Sequence, residues 1–321
     1  MIRTRAAGAI LIGVMALICN ASAVHAQAQK PPKPGSTQPV EEAVDEDLLA
    51  RALERSLVLT GGILVPRGQY EIEPGLQFDY AGRTAIGLVR RENVVASLGL
   101  RVGLPWTSQL ELSIPYLRQK VEVLVPGGTT VADDSGTGDI QIGLSKELLA
   151  PGRGGTSLIG NVTYQNASGD SNLALLANPA LGSLLSSTSL GAGFDSIQVS
   201  LTAVKRMDPL VFLGSLTHAF NRSTTAGGAD IDPSDSTGAN FRAILATSPS
   251  ASLRLGFSLA RAGDLSVNGT PLPASRQTSS LLELGGSVIL TRRMLLDVAF
   301  AAGLTEDAPD FVVGVSLPIR F

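Results

Sequence analysis

The side chains able to carry nucleophilic or metal chemistry are scarce in this 321-residue sequence. It holds two histidines, His25 and His218, and one cysteine, Cys19. A serine hydrolase needs a histidine base beside its nucleophile and an acid to orient it. His218, in "GSLTHAF", is the one histidine outside the first 26 residues, and Ser215 lies on the opposite strand parity. Asp230, Asp232 and Asp235 in "GADIDPSD" are oxygen donors of the kind calcium favours, yet the segment lacks the glycine and distal glutamate of a known calcium loop. "SGTGD" introduces a strand rather than a helix, so it is no phosphate cradle. Catalysis, metal binding and a cofactor are therefore not expected. What remains is electrostatic: Glu71, Glu73, Arg101, Glu111, Arg254, Glu283, Asp297 and Arg320 all fall on the polar parity of alternating segments.

Those segments must come from an exported chain. Arg3 and Arg5 precede the apolar run "AAGAILIGVMALIC", and Val24 and Ala26 have the spacing of a signal-peptidase site, which predicts a signal peptide over 1–26. The run is shorter than the roughly 20 residues of a membrane span. Leu17 and Ile18 are poor neighbours for a lipidated Cys19, so beyond the signal neither disulfides nor thiolate chemistry is available. With 25 basic and 28 acidic residues, the composition carries no nucleic-acid footprint. Residues 27–44, "QAQKPPKPGSTQPVEEAV", read as a proline-rich periplasmic linker.

"DEDLLARALERSLVLTGG", over 45–62, predicts one amphipathic helix. Its acidic start suits a helix N-terminus, and Gly61-Gly62 suit its end. Leu49, Leu53 and Leu57 share a face, flanked by Arg51, Glu54 and Arg55. From Tyr70 onward the hydrophobic period becomes two. Twelve strands are expected, near 69–81, 86–103, 107–119, 138–149, 154–166, 190–206, 209–221, 238–248, 251–263, 277–290, 293–303 and 310–321. Those around 190–221 alternate less cleanly.

The links take turns in length. "GLPWTS", "LAPGRGG", "KRMDPL", "TSPSA" and "LTRRM" are tight, whereas "KVEVLVPGGTTVADDSGTG" and "ASGDSNLALLANPALGSLLSSTSL" are long. Outer-membrane barrels combine short periplasmic turns, long outer loops and an even strand number. Charge placement agrees, since Arg or Lys facing lipid at mid-membrane costs roughly 2–4 kcal/mol. Lys146 shares the apolar parity but sits beside a short turn. A soluble sandwich would alternate too, with its apolar side buried between sheets. The expected fold is all-β: a transmembrane antiparallel β-barrel over 66–321. The ending "FVVGVSLPIRF" fits a strand that must close the wall, because an unpaired edge is costly in lipid.

"RALERSLVLTGGILVPRGQYEIEPGLQFDY", "GTGDIQIGLSKEL", "VKRMDPLVFLGSLTHAF" and "GVSLPIRF" resemble the outer-membrane transporter family associated with the meta-pathway of phenol degradation, which includes the functional-amyloid export channel. The resemblance implies a twelve-stranded barrel with a helix plugging its pore. The long periplasmic coiled coil of the amyloid channel has no counterpart here. A terminal aromatic, Phe321, is similar to the end signature read by barrel-assembly machinery.

The expectation is a passive, helix-gated transporter of the bacterial outer membrane, carrying a small, aromatic or otherwise hydrophobic solute. Export of an unfolded polypeptide, an outer-membrane enzyme and a structural barrel are the alternatives. Expected partners are outer-membrane lipid, assembly machinery and the transported species; nucleic acid is not expected, and a homo-oligomer stays open. The eight polar-parity charges either line a path or pair with one another to stiffen the lumen. The apolar stretch "LLANPALGSLLSSTSL" is expected to fold back into the barrel mouth or to contact lipid.

Overall fold

The computed structural model describes residues 54, 57, 58, 60–82, 88–125, 128–151, 155–169, 171, 191–248, 250–272 and 275–321. The expected signal peptide and linker, the gate residues Leu49, Arg51, Leu53 and Arg55, and the apolar loop stretch lie outside these residues. Glu54, Leu57 and Val58 have helical backbone, too few to define the expected helix.

β1 (Tyr70–Ala81), β2 (Leu88–Leu104) and β3 (Ser108–Val125) form an antiparallel meander. Opposite β3 the chain runs in two stretches, β4 (Gly128–Thr137) and β5 (Gln141–Leu149), which together make the fourth strand of the wall. β6 (Thr156–Gln165), β7 (Ser196–Met207) and β8 (Leu210–Asn221) continue it. β9 (Thr224–Ala226) and β10 (Ala229–Asp232) leave the wall, which resumes with β11 (Ser236–Ser248) and β12 (Ala251–Ala262). β13 (Ser266–Val267) and β14 (Thr270–Pro271) form the next excursion. β15 (Gln277–Ile289), β16 (Leu295–Gly303), β17 (Phe311–Ser316) and β18 (Ile319–Arg320) complete the ring.

β17 and β18 both pair with β1, so the sheet closes on itself as a twelve-stranded antiparallel barrel. The seam runs to the last residue. Tyr70 and Phe321 exchange backbone hydrogen bonds of 3.2 and 2.9 Å, and their rings stack at 5.1 Å.

Three long links carry more structure than their polar composition suggests. The segment read as a loop after residue 119 is a hairpin: β3 runs on to Val125 and β4 returns beside it. Its outer face carries Arg118, Lys120 and Glu122 on the parity that elsewhere is apolar, so this part stands clear of hydrocarbon. Arg118 donates twice to Asp133, at 3.1 and 2.8 Å, and this hydrogen bonding holds the Asp133 carboxyl below the usual carboxylate range. The links 222–235 and 263–276 pair with each other as a four-stranded sheet, β14-β13-β10-β9, over a small core around Ile231. Cross-loop pairing of this kind is long-range, and neither loop's sequence reveals it separately.

The barrel is apolar outside and polar inside. Leu76, Leu98, Ile142, Leu216, Phe241, Leu255 and Leu282 are exposed around the outer wall, Leu216 at 67 %. Their strand neighbours Glu71, Gln109, Ser145, Arg254, Ser287 and Asp297 are buried. A soluble fold rarely exposes a contiguous apolar surface larger than a few hundred Å². A band of such residues around the outer wall is a surface made for lipid.

Candidate channel interior

Residue parity turns the eight charges inward, and the ladder brings them into two groups. At the termini end, Arg101 Nη1 lies 3.0 Å from Glu71 and 2.6 Å from Glu73. Arg320 Nε lies 3.4 Å from the other Glu71 oxygen. Glu71 sits directly opposite both Arg101 and Arg320 in the β1–β2 and β1–β18 registers, which is why it is buried yet flanked by two cations. Glu111 stands opposite Arg101 on β3. It accepts hydrogen bonds from Gln109 at 3.0 Å and Ser145 at 2.6 Å.

The second group spans β11, β12, β15 and β16. Arg254 makes a bidentate contact to Asp297, 3.1 Å at each oxygen, and donates Nε to Glu283 at 2.7 Å. Arg242 approaches Glu283 at 3.6 Å. Burial of a charge is tolerated only where partners saturate it. The fork of Arg254 meets two carboxylates and satisfies that condition.

A third feature escapes the polar-parity reading. Val204, Val211, Leu213 and Ile244 also face inward, on β7, β8 and β11, and form an apolar facet packed against Leu57 and Ile63. They occupy positions where other strands carry polar groups. The weak alternation expected near 190–221 is the sequence trace of this facet. Arg242, Gln109 and Ser145 were also missed as interior residues, although each shares the parity of a charge singled out on its own strand or on a paired one; Asn161, on β6, was missed with no such charge on a neighbouring strand.

The N-terminal segment is fixed at three places on the ring. Glu54 accepts from Arg320 Nη1 at 3.3 Å, beside the seam. Three residues later, Leu57 is 1 % exposed against β7, β8 and β11, the sixth to eighth strands counted from β1. The helical turn stops at Gly61, whose φ of 74° suits glycine, with Gly61 and Gly62 N–H groups returning to the Val58 and Leu57 carbonyls. Further along, the third anchor is on β3, where the Val65 N–H donates to Gln109 Oε1 at 2.6 Å. The chain reaches the wall at Gly103, where a Cβ would overlap the Pro66 carbonyl oxygen and lie 2.5 Å from that of Val65. Only glycine lets the backbones meet there.

His218 faces outward near Phe220, its ring edge-on at 4.4 Å, and Asp235 lies 3.5 Å from its Nε2. Ser215 faces inward, on the other side of the wall. The carboxylates of "GADIDPSD" serve their own loops: Asp230 accepts from Thr225, Asp232 from the Ser234 N–H, and Asp235 from the Asn221 N–H. Among the described residues no three metal-ligating side chains converge.

A closed wall, an apolar exterior and a charged interior place this chain in a bacterial outer membrane. The chain is an outer-membrane β-barrel. Solved structures agree on the fold. The COG4313 outer membrane channel from Pseudomonas putida F1 superposes with a TM-score of 0.65 at 15 % identity, covering 81 % of this chain and 97 % of that one. The translocator domain of the autotransporter NalP from Neisseria meningitidis gives 0.51 at 12 % identity, covering 86 % and 97 %. No family profile matches the sequence, and no curated protein matches it either. The structural likeness therefore reaches outer-membrane barrels, a channel among them. It lends no support to phenol-pathway transport or amyloid export in particular.

Proposed function

We propose that this barrel is a passive outer-membrane channel whose termini-side mouth is obstructed by the segment through residues 54–66, made of the end of a plug helix over 45–62 and the chain that leads from it to the wall. The observation that carries this reading is the anchoring of one short stretch from different sides of the ring. Arg320 at the seam reaches Glu54, the facet on the opposite wall takes Leu57, and Gln109 on β3 holds Val65. A segment held from these sides inside a twelve-stranded ring blocks what would otherwise be a narrow pore.

Gating is steric. Leu57 fills the apolar facet, Glu54 meets Arg320, and the proline-rich linker upstream gives the helix room to leave. The charges Glu71, Glu73, Arg101, Glu111, Arg254, Glu283, Asp297 and Arg320 line the lumen. With them, the described interior outside the covered facet is mostly polar, which favours a water-soluble solute over an aromatic or hydrophobic one. The terminal aromatic Phe321, held in the seam, doubles as the end signal for barrel assembly.

Deleting residues 27–62 tests the gate. Conductance in planar bilayers rises if the segment is the obstruction. Unchanged conductance in a correctly folded barrel refutes it.

A further inference from the structure

One recess in the interior wall is not explained by gating. It has a volume of about 230 Å³ and lies between β1, β2, β3, β5 and β6. Glu73, Ser97, Arg101, Glu111, Ser113 and Thr163 line it. The space exists because Gly99 and Gly143 leave the wall bare between them; a Cβ on Gly143 would sit 3.1 Å from Thr163 Oγ1. The volume falls below the roughly 300–1,000 Å³ of pockets for drug-sized ligands, so it suits a solute of one small ring.

The lining specifies the chemistry of that solute. Arg101 is already engaged by Glu71 and Glu73, and Glu111 adds a third carboxylate facing the same guanidinium. A carboxylate or phosphate would meet this acidic excess. Ser97 and Ser113 carry hydroxyls with no hydrogen-bond partner among the described residues. Glu111 spends one oxygen, Oε1, on Gln109 and Ser145, which leaves Oε2 as an acceptor. Hydroxyls that give and accept, beside free carboxylate lone pairs, match a molecule bearing several hydroxyl groups of its own.

We infer that this recess is a binding site for a small neutral polyhydroxylated solute of the monosaccharide or polyol class. The inference rests on the channel reading for its purpose but not for its test. Glu111 also ties the recess to the gate. The Val65 N–H bonds Gln109, Gln109 bonds Glu111, and from Glu111 the chain of hydrogen bonds continues through Ser145 and Asn161 to Thr163. A solute that draws on Glu111 Oε2 thereby engages the side chain whose Oε1 steadies Gln109 under the segment.

Saturation-transfer NMR on the full mature barrel, solubilised in an amine-oxide detergent with no sugar headgroup, tests the site directly. Glucose, benzoate and methylammonium are the probes. Glucose should show transfer with millimolar affinity, and the other two should show none. Gly143→Leu, which fills the recess, should weaken glucose binding about tenfold or more. The Ser97→Ala/Ser113→Ala double variant adds no bulk and should weaken it by about three- to tenfold through lost hydrogen bonds. No glucose transfer to the wild-type barrel, stronger transfer to benzoate or methylammonium, or glucose binding untouched in both variants overturns the proposal. Conductance is read separately. A barrel that binds glucose in the recess but stays closed after removal of the N-terminal segment retains the site and loses the channel.

Discussion

Adding one methyl group at Gly103 should open the obstruction without touching the segment itself. Burial of Leu57 contributes about 1.5–3 kcal/mol. The Val65–Gln109 hydrogen bond adds about 0.5–1.5 kcal/mol, and the half-exposed Arg320–Glu54 pair less than about 1 kcal/mol. The entropy of ordering the segment opposes these contacts, so the docked arrangement answers to small changes in any one of them.

In Gly103→Ala the new Cβ collides with the carbonyls of Val65 and Pro66. Gly103 is held by the ladder to Gln109 and by its own N–H to Gln69, so the segment moves and the strand does not. Overpacking of this kind costs about 1–3 kcal/mol, which at 1.4 kcal/mol per decade raises the displaced-to-docked ratio about 5- to 100-fold. Single-channel recording gives the open probability. Gly314→Ala is the control, because a Cβ there meets nothing within 4 Å. If Gly103→Ala assembles normally and its open probability stays within twofold of wild type, the docking energetics described here are wrong.

Other perturbations read other parts of the molecule. Leu57→Asp places an unpaired charge on the apolar facet, so open probability should rise at least as far as in Gly103→Ala. Arg254→Ala strands Asp297 and Glu283 inside the wall and should cost about 3–5 kcal/mol, seen as a lower urea midpoint in liposomes. Replacing Arg254 and Asp297 together by leucine should recover much of that loss. Phe257→Arg, on the lipid face of β12, should destabilise the barrel by about 2–4 kcal/mol, whereas the same change at Ser258 on the inner face should cost less. Removal of Phe321 deletes the stack on Tyr70 and two backbone hydrogen bonds. It should slow assembly, measured as the rate at which heat-modifiable, folded barrel appears.

The wall was legible in the sequence because its signal is local and repeated. Tyr70 to Tyr80 and Leu253 to Leu259 alternate strictly, and lipid on one side with buried charge on the other leaves no freedom of register. The interior groups were legible only as a parity. Which carboxylate meets which arginine depends on the stagger between strands, and no single strand records it: Arg254 reaches Asp297 from 43 positions away. The facet of Val204, Val211, Leu213 and Ile244 read as noise because two rules compete there. The lumen asks for polar residues, and a docked leucine asks for apolar ones. The extra strands β4, β9, β10, β13 and β14 were hidden for a different reason. They are short or lie among the glycines, aspartates and prolines of loops, and pairing partners rather than a sustained alternation made them strands.

The junction between the first and last strands holds an asymmetry with a consequence for how the ring shuts. Pro74 accepts a hydrogen bond from the Leu317 N–H at 3.0 Å but has no hydrogen to return, and the final strand breaks between Ser316 and Ile319 at just that level. Shift the pairing by two residues and the donorless proline would face an intact stretch, stranding a carbonyl in hydrocarbon at a cost of several kcal/mol. The imide nitrogen thus works as a keyway: of all the alignments in which the two ends could zip together, it admits one.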